Sequence, residues 1–89
     1  MTRLNIRYVA HVTMITGVLR EVVATAAANL GQLIGELDRK HPGLGRLVLD
    51  DKKNFRLDAM VFYQPPGKLP APLVSLDAPL EEGGTLTFW

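Results

Sequence analysis

The sequence predicts an α+β domain in which a mixed sheet of four to five strands is covered by one helix. Three observations predict it. Apolar residues alternate with polar ones near both ends of the chain, at Leu4, Ile6 and Tyr8 and again at Leu86 and Phe88. Between them the period changes once, with Leu30, Leu33, Ile34 and Leu37 at i, i+3, i+4 and i+7. The length, 89 residues, leaves room for one sheet and one helix around a single core.

Leu4, Ile6, Tyr8 and Ala10 alternate with Asn5, Arg7 and Val9, which predicts a first strand with one buried face. Val12 to Gly17 is expected to form a loop. Val18 to Ala24, rich in β-branched residues, predicts a second strand that pairs with the first as a hairpin. From Thr25 to His41 the pattern is that of an amphipathic helix, capped by Asn29 or by Thr25, with Gln32, Glu36, Arg39 and Lys40 opposite the leucines. Pro42-Gly43 ends it, Arg39, Lys40 and His41 lie where the helix dipole favours cations, and Leu44 can fold back against it.

Asp50 to Asn54 is a polar turn. Leu57, Ala59 and Val61 then alternate with Arg56, Asp58, Met60 and Phe62, predicting a third strand whose first set faces inward. Pro65, Pro66, Gly67, Pro70 and Pro72 interrupt any ladder and predict a loop, followed by at most a short edge strand at Leu73-Val74-Ser75. Pro79 to Gly84 forms an acidic, glycine-bearing turn that opens a last strand, Thr85 to Trp89. The order places one domain over residues 1–89, with the last strand returning parallel to the first.

Composition excludes several classes of function. The net charge is +1, from 10 basic and 9 acidic residues dispersed along the chain, so no basic field points to nucleic acid or a membrane surface. There is no cysteine, hence no disulfide, thiolate metal site or thiol nucleophile. No apolar run approaches the ~18 residues of a membrane span, and the first residues do not read as a targeting segment, so a soluble, cytoplasmic protein is expected. His11 and His41 are the only histidines, and neither has a second ligand at a metal spacing. They are expected in surface or capping roles. Asp50-Asp51 and Glu81-Glu82 sit in turns, not in a cleft that would push paired carboxyl pKa values apart. Gly43-Leu44-Gly45-Arg46 lacks the lysine and the preceding strand of a phosphate loop. No catalytic, cofactor-binding or metal residues are expected, and the chain does not read as an enzyme.

Four stretches carry a resemblance. Ile6 to Val12, Asn29 to Leu37, His41-Pro42-Gly43-Leu44, and Leu73 through Phe88 resemble, in order and spacing, the MoaD/ThiS-type ubiquitin-like sulfur carriers: the molybdopterin synthase small subunit and the thiamine-pathway carrier. The resemblance implies a β-grasp (ubiquitin-like) fold and a protein partner, either an enzyme subunit or an activating enzyme. It also implies a slim tail ending in Gly-Gly, whose carboxylate is adenylated and made a thiocarboxylate or joined to lysine. The sequence departs from that pattern in two places. It stops at Trp89, and Gly83-Gly84 matches the turn before the last strand, not the tail. The proline-rich stretch from Phe62 to Pro72 stands where the family has a tight turn.

With the leucine and aromatic set packed on the helix, Arg7, Val9, Arg56, Met60, Phe62, Thr87 and Trp89 are expected on the far face of the sheet. That composition suits a protein-binding patch, and the resemblance implies the same face. The alternative is that the proline-rich loop folds over these side chains as a second small core. Base stacking on Phe62 and Trp89 has few basic residues to support it. The expected function is a non-catalytic binding module or accessory subunit docking on an enzyme through its sheet face. The alternative is a sulfur carrier for molybdopterin, thiamine or related transfer, or a protein modifier, whose Gly-Gly tail is missing from this chain.

Overall fold

A computed structural model describes residues 1–89. In β1 (Thr2–Tyr8) Leu4, Ile6 and Tyr8 are buried and Arg3, Asn5 and Arg7 exposed, as period-2 alternation requires. β2 (Arg20–Thr25) pairs with it antiparallel, from Thr2 opposite Thr25 to Arg7 opposite Arg20. The last strand, β5 (Thr85–Phe88), lies parallel beside β1, with Ile6 opposite Leu86. β3 (Val61–Gln64) runs antiparallel to β5, and the short β4 (Ala71–Pro72) closes the sheet. The order is β2-β1-β5-β3-β4, a mixed five-stranded sheet with the first and last strands adjacent at its middle. This is the β-grasp arrangement.

One face is closed by α2 (Leu30–Lys40), whose Leu30, Leu33, Ile34 and Leu37 are buried against the inward residues of β1, β3 and β5. The cap is Asn29: its Oδ1 accepts from the Gln32 N–H at 2.9 Å, while Thr25 belongs to β2. Thr25 is itself buried, and its hydroxyl donates to the Glu36 carboxylate and accepts from the Ala27 N–H. No helix is long and apolar enough to cross a membrane.

Several segments differ from expectation. Val12 to Gly17 is not an open loop: a 3-10 turn at Ala10–Val12 runs into α1 (Thr13–Thr16), because Val12 and Thr16 turn inward. A further helix, α3 (Leu44–Val48), follows α2 directly, with Leu44 and Val48 buried. Asp38 accepts from the Gly45 N–H at 2.8 Å, satisfying a donor at the start of α3 that has no partner within the helix. The third strand begins at Val61, not at Arg56 or Leu57. Backbone groups before it are already committed, Arg56 N–H to Val48 C=O and Leu49 bridged to Phe55, so Leu57 is fully exposed where an inward residue was expected. The strand instead reaches past Phe62 to bury Tyr63. The edge strand lies at Ala71–Pro72, not at Leu73–Ser75. Pro72 is tolerated there because its missing donor costs nothing on an outer edge.

The turn before β5 is tightly held. Gly83 N–H donates to Arg3 C=O, Gly84 N–H to Glu81 C=O, and Asn5 N–H to Gly84 C=O. Gly84 is buried, and a Cβ there would stand 2.7 Å from the Tyr63 ring. Gly83 has φ +82°, the left-handed region that other residues enter at a cost. Diglycine at this point is a packing and turn requirement.

Candidate functional site

Strand register builds the candidate site row by row on the face away from α2. Arg20, Arg7, Thr87, Phe62 and Pro72 lie in one row across all five strands, since Arg7 pairs with Arg20 and with Thr87, Thr87 with Phe62, and Phe62 with Pro72. One step along, the Trp89 N–H donates to the Met60 carbonyl at 2.9 Å, extending the β5–β3 ladder by one pair. Side-chain alternation then puts Met60, Phe62, Thr87 and Trp89 on the same side. Phe62 and Trp89 meet edge to face with centroids 6.5 Å apart. Met60 is 49% exposed and Trp89 45%, an apolar pair of side chains left half in water.

The proline-rich segment does not lie over this face as a lid. It extends the sheet sideways as β4, with Leu69 and Pro72 exposed. Beside it, Phe55, Ala59, Met60, Val61, Pro72, Leu73 and Val74 line a shallow apolar hollow of about 260 Å³ that is continuous with Met60.

Of the residues expected on the face, Arg7, Met60, Phe62, Thr87 and Trp89 lie in these two rows. Val9 is half-buried just beyond β1, its N–H donating to Phe88 C=O at 3.0 Å. Arg56 is a correction. It sits in the turn between α3 and β3, exposed and ion-paired with Asp58 at 3.2 Å, because β3 starts five residues later than Arg56. Sequence reasoning missed Arg20, Val22 and Arg3, which share the face through β1 and β2. The signal was present, since residue numbers paired across that hairpin sum to a constant once one pair is known.

A polar cluster lies on the opposite, helix-covered side. The Tyr8 hydroxyl donates to Glu21 Oε2 at 2.6 Å, His41 Nε2 lies 2.7 Å from the same oxygen, and Lys40 Nζ bonds Oε1. A carboxylate only accepts, so His41 Nε2 carries the hydrogen. Burial pushes the Glu21 carboxyl up, but the hydrogen bonds from Lys40, Tyr8 and His41 outweigh it and lower its pKa to about 2. Burial, together with the Glu21 hydrogen bond and charge, pushes the Tyr8 phenol well above its usual range. Of the surface or capping roles expected for the two histidines, His41 takes the capping one, half-buried and stapling the end of α2 to the hairpin, while His11 is exposed. The cluster has no buried side-chain polar atom without a partner. No group of three or more histidine, aspartate or glutamate side chains is placed to hold a metal ion.

No family model and no curated protein matches the sequence. Solved structures do. Small archaeal modifier protein 1 of Haloferax volcanii superposes with a TM-score of 0.75 at 17% identity, over 99% of this chain and 95% of that one. A Pyrococcus furiosus protein described as molybdopterin converting factor, subunit 1, gives 0.71 at 22% identity, over 99% and 95%. A further Haloferax volcanii protein, solved in solution, gives 0.74 at 16%, over 98% and 80%. The likeness is one of fold. The chain has the MoaD/ThiS-type ubiquitin-like fold, an α+β β-grasp arrangement that spans 95% of two of these neighbours and 80% of the third.

Proposed function

We propose that this protein is a non-catalytic ubiquitin-like binding module that docks on a protein partner, an enzyme or one of its subunits, through the outer face of its sheet. The observation that carries the reading is the half-exposed aromatic and methionine group Met60, Phe62 and Trp89, set on rigid strands and left uncovered by the proline-rich segment. Apolar anchors of this kind, ringed by polar residues, supply most of the energy of protein interfaces. The fold neighbours include a modifier protein and a converting-factor subunit by their own descriptions, which supports a role exercised with other proteins. A photo-crosslinking side chain placed at Phe62 tests it. Capture of a single protein from the native cell, with none captured from the same group placed at Arg39 on the helix side, is expected. Equal capture from both positions contradicts it.

The likeness to a modifier and to a converting-factor subunit favours a second reading, a sulfur carrier or protein modifier. Its chemistry requires a slim segment after β5 that ends in a free carboxylate. Gly83–Gly84 does not supply it, because both residues are hydrogen-bonded into a turn whose far side carries β5. An ATP–pyrophosphate exchange assay with an activating enzyme, run beside the intact mass of the native protein, separates the readings. Exchange that depends on the native chain selects the carrier.

A further inference from the structure

The outer face is electrically lopsided. Arg7 stands directly opposite Arg20, and both are exposed. Tyr8 N–H donates to Leu19 C=O at 2.9 Å, so the neighbouring Arg7–Arg20 pair is a non-hydrogen-bonded one, the kind whose side chains lie closest. Neither guanidinium has an ion-pair partner: the ion pairs of the chain are Lys40–Glu21, His41–Glu21 and Arg56–Asp58. Glu21, the one acidic residue on either strand, faces the helix and is already bonded three times. Thr87, Phe62 and Pro72 complete the row with no carboxylate. Like charges directly opposite one another in a sheet destabilise it, and local rules of this kind are broken chiefly where function requires it.

We propose that Arg7 and Arg20 together receive an acidic segment of the protein partner, while Phe62 and Trp89 receive a large apolar side chain of the same segment. The inference rests on the docking reading above and specifies the partner's chemistry. Planar guanidinium groups on directly paired strand residues can present paired donors to carboxylates, and binding relieves their mutual repulsion. Two inter-strand spacings separate Arg7 from Phe62, which sets the distance between the partner's carboxylates and its apolar anchor at about 10 Å. A nucleic acid fits less well. Phe62 and Trp89 meet edge to face and offer no parallel stack for bases, and one arginine pair is not a track for a phosphate backbone.

The test uses the full chain, labelled for amide NMR, and three short synthetic peptides. Each carries one leucine and, about 10 Å away along a helix, a pair of glutamates, lysines or glutamines. The glutamate peptide is expected to shift the amides of Arg7, Arg20, Thr87 and Phe62 and to bind about tenfold tighter than the glutamine peptide. That margin should vanish at high salt and in the Arg7→Gln/Arg20→Gln protein, whose otherwise unchanged spectrum shows the fold intact. Equal binding of the glutamate and glutamine peptides overturns the acidic specificity and leaves the docking face standing. No peptide shifting Phe62 or Trp89 overturns both. Stronger shifts at Arg7 and Arg20 from oligouridylate or phosphatidylserine vesicles than from the glutamate peptide overturn the choice of a protein segment.

Discussion

The Tyr63 ring occupies the space that any side chain at Gly84 would need, with the ring edge 2.7 Å and the hydroxyl 2.9 Å from the position of a Cβ. The same hydroxyl accepts from the Glu81 N–H at 2.7 Å, so one side chain both fills the turn and ties it to β3. Gly84→Ala is expected to destabilise by about 1–3 kcal/mol, the range for overpacking a closed site. Tyr63→Phe/Gly84→Ala should recover little, since the ring remains. Denaturant titration checks both, and a neutral Gly84→Ala shows the turn to be looser than described.

Leu33 and Leu37 close the single core, and replacing either by Ala should cost roughly 2–4 kcal/mol. Glu36 is not the indifferent surface position its helix face suggests. It receives the hydroxyl of the buried Thr25, and Glu36→Ala leaves that donor without an acceptor, at about 1–3 kcal/mol. Thermal unfolding of the three variants orders them.

The Glu21 cluster makes stability depend on acid. Its carboxyl titrates at about 2 in the folded chain against an ordinary 4.5, so the folded state favours the ionised form. The stabilisation is fully present above pH 4.5 and is lost as pH falls through about 2. Glu21→Gln should be less stable than the parent at neutral pH, and the gap should narrow steadily below pH 4.5. Melting curves across that range read it directly. A gap that does not change with pH points to packing at Glu21 in place of charge.

Arg7 and Arg20 lie opposite each other without a counterion, so Arg20→Glu should turn a repulsive cross-strand pair into an attractive one. A gain of about 0.2–1 kcal/mol is expected, smaller at high salt because both groups are exposed. Denaturation in low and high salt measures it.

Much of the fold was legible because burial and periodicity coincide. Leu4, Ile6 and Tyr8, and Leu86 and Phe88, are buried as their alternation requires, and the Leu30 to Leu37 stripe packs as one face. Where the reading failed, long-range backbone bonding overrode a local pattern. Leu57 alternates correctly with Ala59 and Val61, yet Phe55 and Arg56 just before it pair with the end of α3, and Leu57 is left in water. Arg56 left the candidate face for the same reason. Leu44 to Val48 is too short for periodicity to mark as a helix, and only its contact with Asp38 and α2 explains it. Arg20 was missed because consecutive Val22, Val23 and Ala24 blur the alternation of β2, so which side faces the helix becomes clear only from its register with β1.

Docking of a protein on the outer sheet face, by side chains that contribute little to the core, is the central proposal. It is tested most directly by isolating the native protein with its partner, then repeating the isolation with Met60→Asp and Phe62→Asp while recording each variant's melting temperature. The account predicts that the partner is lost from both, consistent with anchors contributing about 2 kcal/mol or more each, and that circular dichroism and melting stay close to the parent. A partner retained by both variants, or variants that unfold, contradicts it.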